Sequence, residues 1–234
     1  MMKETGLSVI LPIYNEAAGI KGLIKKMLPF LAKVTDDLEV IAVNDGSADR
    51  SAEIVTGLAE KDPRIKLINN NRNNGYGWAL RQGIRAATKN WLLFFDADGQ
   101  FDIGDLKEMW DQKCGRDFIL GWRRQRNDNG YRLLLGAAGN RLANLFLRRI
   151  YIKDINCGFK LFKTGLLKNL PLLSSGGVIN FEILYRLKNS GYSFIQLPVN
   201  HYPRSSGRAT GGNFNTVMKI IKEANRIIFK HAPV

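Results

Sequence analysis

The chain has 234 residues, 45% hydrophobic and 24% charged, which gives material for one sizeable core and excludes intrinsic disorder and fibrous repeats. Two cysteines, Cys114 and Cys157, are too few for a disulfide framework and fit a reducing compartment. No window reaches the ~18 apolar residues of a membrane-spanning helix, and no signal-peptide core of the usual length follows a basic start.

The charge is lopsided. Residues 1–112 carry 14 basic and 16 acidic residues, a net of −2, whereas residues 113–234 carry 21 and 5, a net of +16. A basic second half predicts a phosphate-rich partner there: nucleic acid, anionic lipid or a phosphorylated substrate.

Taken in chain order, Leu7–Leu11 reads as a buried strand, and Ile20, Leu23, Ile24, Met27, Leu28 and Leu31 follow at helical spacing. Leu38–Val43 is a second strand. Asn44-Asp45-Gly46-Ser47 turns the chain into a helix over 52–61, with Asp49 or Ser51 as cap, and Asp62-Pro63 ends it. Ile65–Ile68, a helix over Ala79–Thr88 and a fourth strand over Trp91–Phe95 complete the first half. This alternation predicts an α/β fold, a mostly parallel central sheet with helices on both faces. Ligands of such sheets sit outside the carboxyl ends of the strands, which gathers Tyr14–Glu16, Asn44–Ser47, Asn70–Gly77 and Asp96–Gln100 on one edge.

In the second half, Phe118–Leu120 reads as a strand and Tyr131–Ile150 as a long helix. That helix has an apolar face of Leu135, Ala138, Leu142 and Leu145 and a polar one of Asn140, Asn144 and Arg148. Phe181–Lys188 reads as a helix, Phe194–Leu197 as a strand, and 203–213, with Gly207, Gly211 and Gly212, as a mobile loop. A closing amphipathic helix over 213–234 carries Val217, Ile220, Ile221, Ala224 and Ile228 on one face and Lys219, Lys222, Arg226 and Lys230 on another.

The sharpest local signal is Phe94-Phe95-Asp96-Ala97-Asp98-Gly99-Gln100. Two carboxylates one residue apart repel unless a cation compensates them. Mg²⁺ suits, because it takes one or two carboxylates and completes its shell with water and substrate phosphates. Gln100 can add a carbonyl oxygen. An EF-hand is excluded, since the sixth position from Asp96 is Phe101 and the twelfth Lys107. A phosphoaspartyl enzyme of the haloacid dehalogenase type also places Asp-x-Asp after an apolar strand, but usually with Thr or Val where Gln100 stands. Taken singly, Pro12-Ile13-Tyr14-Asn15-Glu16 and Asn44-Asp45-Gly46-Ser47 read as strand-to-helix turns. Three acidic turns at neighbouring strand ends read as a site.

In order, the chain shows Pro12-x-Tyr14-Asn15-Glu16, Asn44-Asp45-Gly46-Ser47, Asn73-Asn74-Gly75-Tyr76-Gly77-Trp78-Ala79-Leu80 with Gly83, and Asp96-Ala97-Asp98-Gly99-Gln100. Next come Gly121-x-Arg123, Asp154-Ile155-Asn156-Cys157-Gly158-Phe159-Lys160, Phe181-Glu182-Ile183-Leu184 and Arg204-Ser205-Ser206-Gly207-Arg208-Ala209-Thr210. This series resembles the family 2 glycosyltransferases of GT-A fold. It is most similar to the group containing dolichol-phosphate mannose synthase and the polyprenyl-phosphate sugar synthases. The likeness runs from about residue 7 to about 212. Two departures stand out: Asn44 replaces the first of a usual acidic pair, and Ala209-Thr210 replaces a usual Ser-Lys or Ser-Thr.

The resemblance implies one domain over 1–234, with 1–112 binding the nucleotide-sugar, 113–212 binding the acceptor and 213–234 forming the final helix. It implies a GDP- or UDP-sugar donor, Mg²⁺ or Mn²⁺ on the diphosphate, and inversion at the anomeric carbon. By position, Pro12, Tyr14, Glu16, Asp45, Asn73 and Asp96 belong to the donor pocket, and Asp96, Asp98 and Gln100 to the metal. Arg123, Arg132 and Arg204 would hold the phosphate of a polyprenyl or dolichyl phosphate, in agreement with the basic second half. A phosphate acceptor needs no general base. A hydroxyl acceptor on a saccharide or lipid would need one, and Asp154 and Glu182 are then the carboxylates to examine; turn capping and ion pairing are their structural alternatives. His201 and His231 read as structural. A basic membrane- or nucleic-acid-binding module is the reading from another class. The acidic loops argue against a nucleic-acid partner, since a polyanion binder gains nothing from Asp45, Asp96 and Asp98. A sugar-nucleotide hydrolase is a third. The basic stripe predicts peripheral attachment at the cytoplasmic face of an anionic membrane, or docking on a membrane-anchoring subunit.

Overall fold

A computed structural model describes residues 6–124, 130–147, 150–203 and 222–229, with the backbone alone described over 130–135. Seven strands form one sheet: β1 (Leu7–Ile13), β2 (Leu38–Asp45), β3 (Ile65–Asn70), β4 (Trp91–Phe94), β5 (Phe118–Arg123), β6 (Lys160–Lys163) and β7 (Phe194–Val199). Their spatial order is β3-β2-β1-β4-β6-β5-β7. All pairings are parallel except those of β6, which runs against both β4 and β5. The expected mostly parallel α/β sheet is therefore observed, and its strands come from both halves of the chain.

The helices are α1 (Ile20–Val34), α2 (Ser51–Ala59), α3 (Tyr76–Ala86), α4 (Leu106–Asp111), α5 (Gly130–Leu147), α6 (Thr164–Lys168) and α7 (Ile179–Leu187). A further helix covers 222–229. Alternate residues of β1 explain the two layers. Leu7, Val9, Leu11 and Ile13 face a core completed by Ile20, Ile24, Met27 and Leu31 of α1, Val55 of α2 and Met109 of α4. Ile10 faces a second core with Leu80 and Ile84 of α3, Leu184 of α7 and Ile227. Each fully buried Leu or Ile contributes roughly 1.5–3 kcal/mol. A central strand covered on both faces is almost wholly apolar: only Pro12 of β1 is partly exposed, and its one polar residue, buried Ser8, bonds Glu39 of β2.

Two expectations are corrected. Of the apolar face read on α5, Ala138, Leu142 and Leu145 do not go into the core, Leu142 and Leu145 being 56% and 70% exposed, while α5 packs through Ala143, Phe146 and Leu147; the Leu135 side chain lies outside the described residues. Residues 160–163, read only as the tail of a motif, form β6, whose lysines at both ends mask a short strand. The closing helix behaves as read where it is described. Ala224, Ile227 and Ile228 pack on the domain and Lys222 and Arg226 are exposed, whereas Lys219 and Lys230 lie outside the described residues.

The register sets the position of the site. Ile13 pairs with Asn44, Asp45 with Asn70, and Ile10 with Phe94. Four strands thus release their loops at one edge. Lys160, the first residue of β6, pairs with both Phe94 and Leu120, so the antiparallel strand begins where β4 and β5 end.

Candidate active site

The loops after β1 and β2 are stapled together by short polar side chains. Asn15, in the left-handed region at φ 58°, accepts at Oδ1 from the Ala48 amide (2.8 Å), and its own amide donates to Ser47 Oγ (2.9 Å). The Glu16 amide donates to Ser51 Oγ (2.9 Å) and the Ala17 amide to Asp49 Oδ2 (3.0 Å). Asn44 accepts from the amide and hydroxyl of Ser47 and donates to Asn69, so the residue replacing an acid here closes the turn. Of the expected donor contacts, Tyr14 is 39% exposed and Glu16 7%; Pro12 pairs with Val43, one residue before β1 ends its pairing with β2 at Ile13.

Asp45 is buried beneath the 73–77 loop. Its carboxylate accepts from the amides of Asn74 (3.0 Å) and Gly75 (2.7 Å) and from Asn70 Nδ2 (3.3 Å). Gly46, at φ 67°, lies so close to this loop that a Cβ would come within 2.3 Å of the Arg72 carbonyl carbon. Asn73, exposed on top, is thereby held over the ends of β2 and β3.

Asp96 and Asp98 follow β4. Asp96 Oδ1 accepts from the Tyr76 hydroxyl at 2.9 Å, and Asp98 Oδ1 accepts from the Gln100 amide at 3.1 Å. Burial first, and the negative charge of Asp98 second, push the Asp96 carboxyl up to about 6 against the pull of Tyr76, Lys160 and Arg123. The donor set of this turn, two carboxylates and the Gln100 amide, fits a hard divalent cation. Among the described residues no three His, Cys, Asp or Glu side chains cluster to hold a metal by themselves. Gln100 donates through Nε2 to the Tyr202 carbonyl (3.0 Å), which ties this turn to the chain after β7.

On the acceptor side, Arg123 ends β5 and grips Asp154 with its fork: Nε to Oδ2 at 2.7 Å and Nη2 to Oδ1 at 2.9 Å. Both side chains are 12% exposed. Burial alone would raise the Asp154 carboxyl, but the hydrogen bonds and charge of Arg123, with Lys160 behind, hold it below the ordinary value. Sequence reasoning missed what places Asp154. Asn140 and Asn144, read as a polar face of α5, bond the backbone of Ile152, Lys153 and Ile155 and pin the segment that carries it. Two asparagines one helical turn apart were the available signal.

Glu182 makes the ion pair that was its structural alternative. Its side chain is fully buried, and its oxygens accept from the amides of Leu173 and Ser174 and from Arg186. It anchors the 173–176 segment, which in turn receives Trp78 N at the Ser175 carbonyl and Arg81 at the Leu173 carbonyl. The expected convergence of Arg123 with Arg132 and Arg204 cannot be followed, because those two side chains lie outside the described residues.

The family model for Glycosyl transferase family 2 matches residues 8–170. The chain belongs to glycosyl transferase family 2. The match takes in the loops after β1 to β3, the Asp96–Asp98 turn, Arg123 and Asp154. Two relatives are similar over most of the chain. A dolichyl-phosphate beta-glucosyltransferase of Dictyostelium discoideum is 28% identical, over 96% of this chain and 74% of its own length. A polyprenol monophosphomannose synthase of Mycolicibacterium smegmatis is 26% identical, over 92% of this chain and 85% of its own. The fold matches that of glucosyl-3-phosphoglycerate synthase from Mycobacterium tuberculosis, crystallised with Mn²⁺, UDP and phosphoglyceric acid. The TM-score is 0.75 at 16% identity, covering 96% of this chain and 79% of that one. The fold is thus of the GT-A type, and the expectation of a family 2 glycosyltransferase is met.

Proposed function

We propose that this glycosyltransferase moves a sugar from a GDP- or UDP-sugar to a polyprenyl or dolichyl phosphate, with inversion at the anomeric carbon. The observation that carries the acceptor class is the Arg123–Asp154 pair. A hydroxyl acceptor needs a general base near the reacting carbon. Of the two carboxylates eligible for that task, Glu182 is sealed and Asp154 is locked on a guanidinium that keeps it weakly basic. A phosphate monoester is already ionised near neutral pH and attacks without a base. The names of the two relatives point the same way.

In this reading Pro12, Tyr14, Glu16, Asp45 and Asn73 form the nucleoside end of the donor site on the stapled loops. Asp96 and Asp98, with Gln100, hold Mg²⁺ or Mn²⁺, which neutralises the departing diphosphate. Arg123, with Arg132 and Arg204, orients the acceptor phosphate, for which a planar fork is better suited than an ammonium. Positioning and charge neutralisation then carry the catalysis. Attachment is peripheral, at the cytoplasmic face of a membrane or through a membrane-anchoring subunit. The exposed Lys222 and Arg226 support this, and among the described residues no helix is long and apolar enough to cross a membrane.

The test is a panel of UDP- and GDP-sugars with polyprenyl phosphate, in Mg²⁺, Mn²⁺ or excess chelator, with the anomeric configuration of the product read by NMR. The reading expects one donor base, metal dependence and an inverted product. Full activity in chelator, or retention of configuration, contradicts it.

A further inference from the structure

Four residues that the proposed reaction leaves without a role meet behind the metal turn. Lys160 is buried, at 1% exposed. Its ammonium donates to the Cys157 carbonyl and, at 3.0 Å, to Asn180 Oδ1. The charge of Lys160 reaches Asp96, and Tyr76 donates its hydroxyl proton to Asp96 Oδ1 at 2.9 Å. Gly158 closes the opposite flank. A Cβ there would lie 1.9 Å from Asp96 Oδ2 and 2.6 Å from Oδ1, so only a glycine lets the carboxylate occupy this place.

We infer that Tyr76 is a positioning residue for the divalent cation, and that Tyr76 and Gly158 together hold the Asp96 carboxylate in its cation-binding orientation. The inference rests on Asp96 as a cation ligand. A solvated aspartate at a turn has several rotamers, and choosing one at the moment of binding costs affinity. Here the choice is made in advance by the Tyr76 hydroxyl on one flank and the Gly158 backbone on the other. Tyr76 comes from α3 and Gly158 from the turn before β6, so two elements distant in sequence set the metal turn.

Mn²⁺ binding to the full chain with UDP or GDP, followed by EPR or calorimetry, tests this without reference to turnover. Tyr76→Phe keeps the ring and removes the bond, and is expected to raise the Mn²⁺ dissociation constant about tenfold or more, with metal-free nucleotide affinity unchanged. Gly158→Ala displaces the carboxylate from the other flank without removing a donor, and is expected to do the same. Folded Tyr76→Phe and Gly158→Ala proteins that bind Mn²⁺ as the wild type does, while Asp98→Asn does not, overturn the inference and leave the metal reading standing. A wild type that binds Mn²⁺ no better than Asp98→Asn overturns both.

Discussion

Arg123 and Asp154 face each other as a two-pronged ion pair at 2.7 and 2.9 Å. The residue expected to bind an acceptor and the one to be examined as a base therefore lie against each other. In the proposed reaction the carboxylate is a poor base while it holds the guanidinium, and the guanidinium is oriented for an incoming anion.

Arg123→Lys keeps the charge and loses the fork. Transfer to polyprenyl phosphate is expected to fall at least tenfold, with nucleotide affinity unchanged, because charge-assisted bidentate bonds exceed a single point contact by roughly 1.5 kcal/mol or more. Steady-state kinetics beside nucleotide calorimetry checks it. Asp154, kept below its ordinary value, is ionised throughout pH 5–8. The wild type and Asp154→Asn should therefore give kcat/KM profiles of the same shape in that window, whatever their heights.

Glu182→Gln is expected to damage stability rather than chemistry. It leaves the 10%-exposed Arg186 side chain without its carboxylate, and breaking a buried pair costs about 3–5 kcal/mol. For a chain of this size that is a fall in Tm of roughly 6–20 °C. The folded fraction should keep its kcat within about threefold. A loss of kcat by orders of magnitude with Tm intact would restore Glu182 as the base.

Asp45→Ala is expected to weaken UDP or GDP binding about tenfold or more, because it frees the Asn74 and Gly75 amides and with them the loop that carries Asn73. Calorimetry with both nucleotides measures it, and unchanged affinity for each contradicts the pocket as described.

Far from the site, Glu39 is buried and bonded to Ser8, Thr88 and Lys66. Burial works against its ionised form, yet these partners outweigh it and lower the carboxyl from 4.5 to about 2. The folded form therefore holds its proton more weakly than the unfolded one. The stabilisation is complete above about pH 4.5 and disappears as the pH falls towards 2, on the order of 3 kcal/mol in all. Urea unfolding of the wild type and Glu39→Gln should show a gap at pH 7 that narrows steadily below pH 4.5; a constant gap contradicts the assignment.

The parallel sheet and the edge that carries the chemistry were legible because apolar strands and polar loops alternate locally along 7–100. The buried polar connections were not. Lys160 looks like a surface cation, and only the pairing of β6 with both β4 and β5 turns it inward. Asn180 precedes the helix as read, and its partner Lys160 lies on β6; the Glu182–Arg186 pair was legible from helical spacing, but the Leu173 and Ser174 amides that seal Glu182 were not. Leu142 and Leu145 fail for the converse reason: helical periodicity identifies an apolar stripe but not the side of the helix that meets the sheet.

The central claim is that a phosphate, rather than a hydroxyl, receives the sugar. The most direct measurement supplies purified protein and one labelled nucleotide-sugar with equal amounts of polyprenyl phosphate and the matching polyprenol. The account predicts label on the phosphate alone, lost in excess chelator and reduced at least tenfold in Arg123→Lys. Equal or preferred labelling of the free alcohol would contradict it and return the search for a base to Asp154.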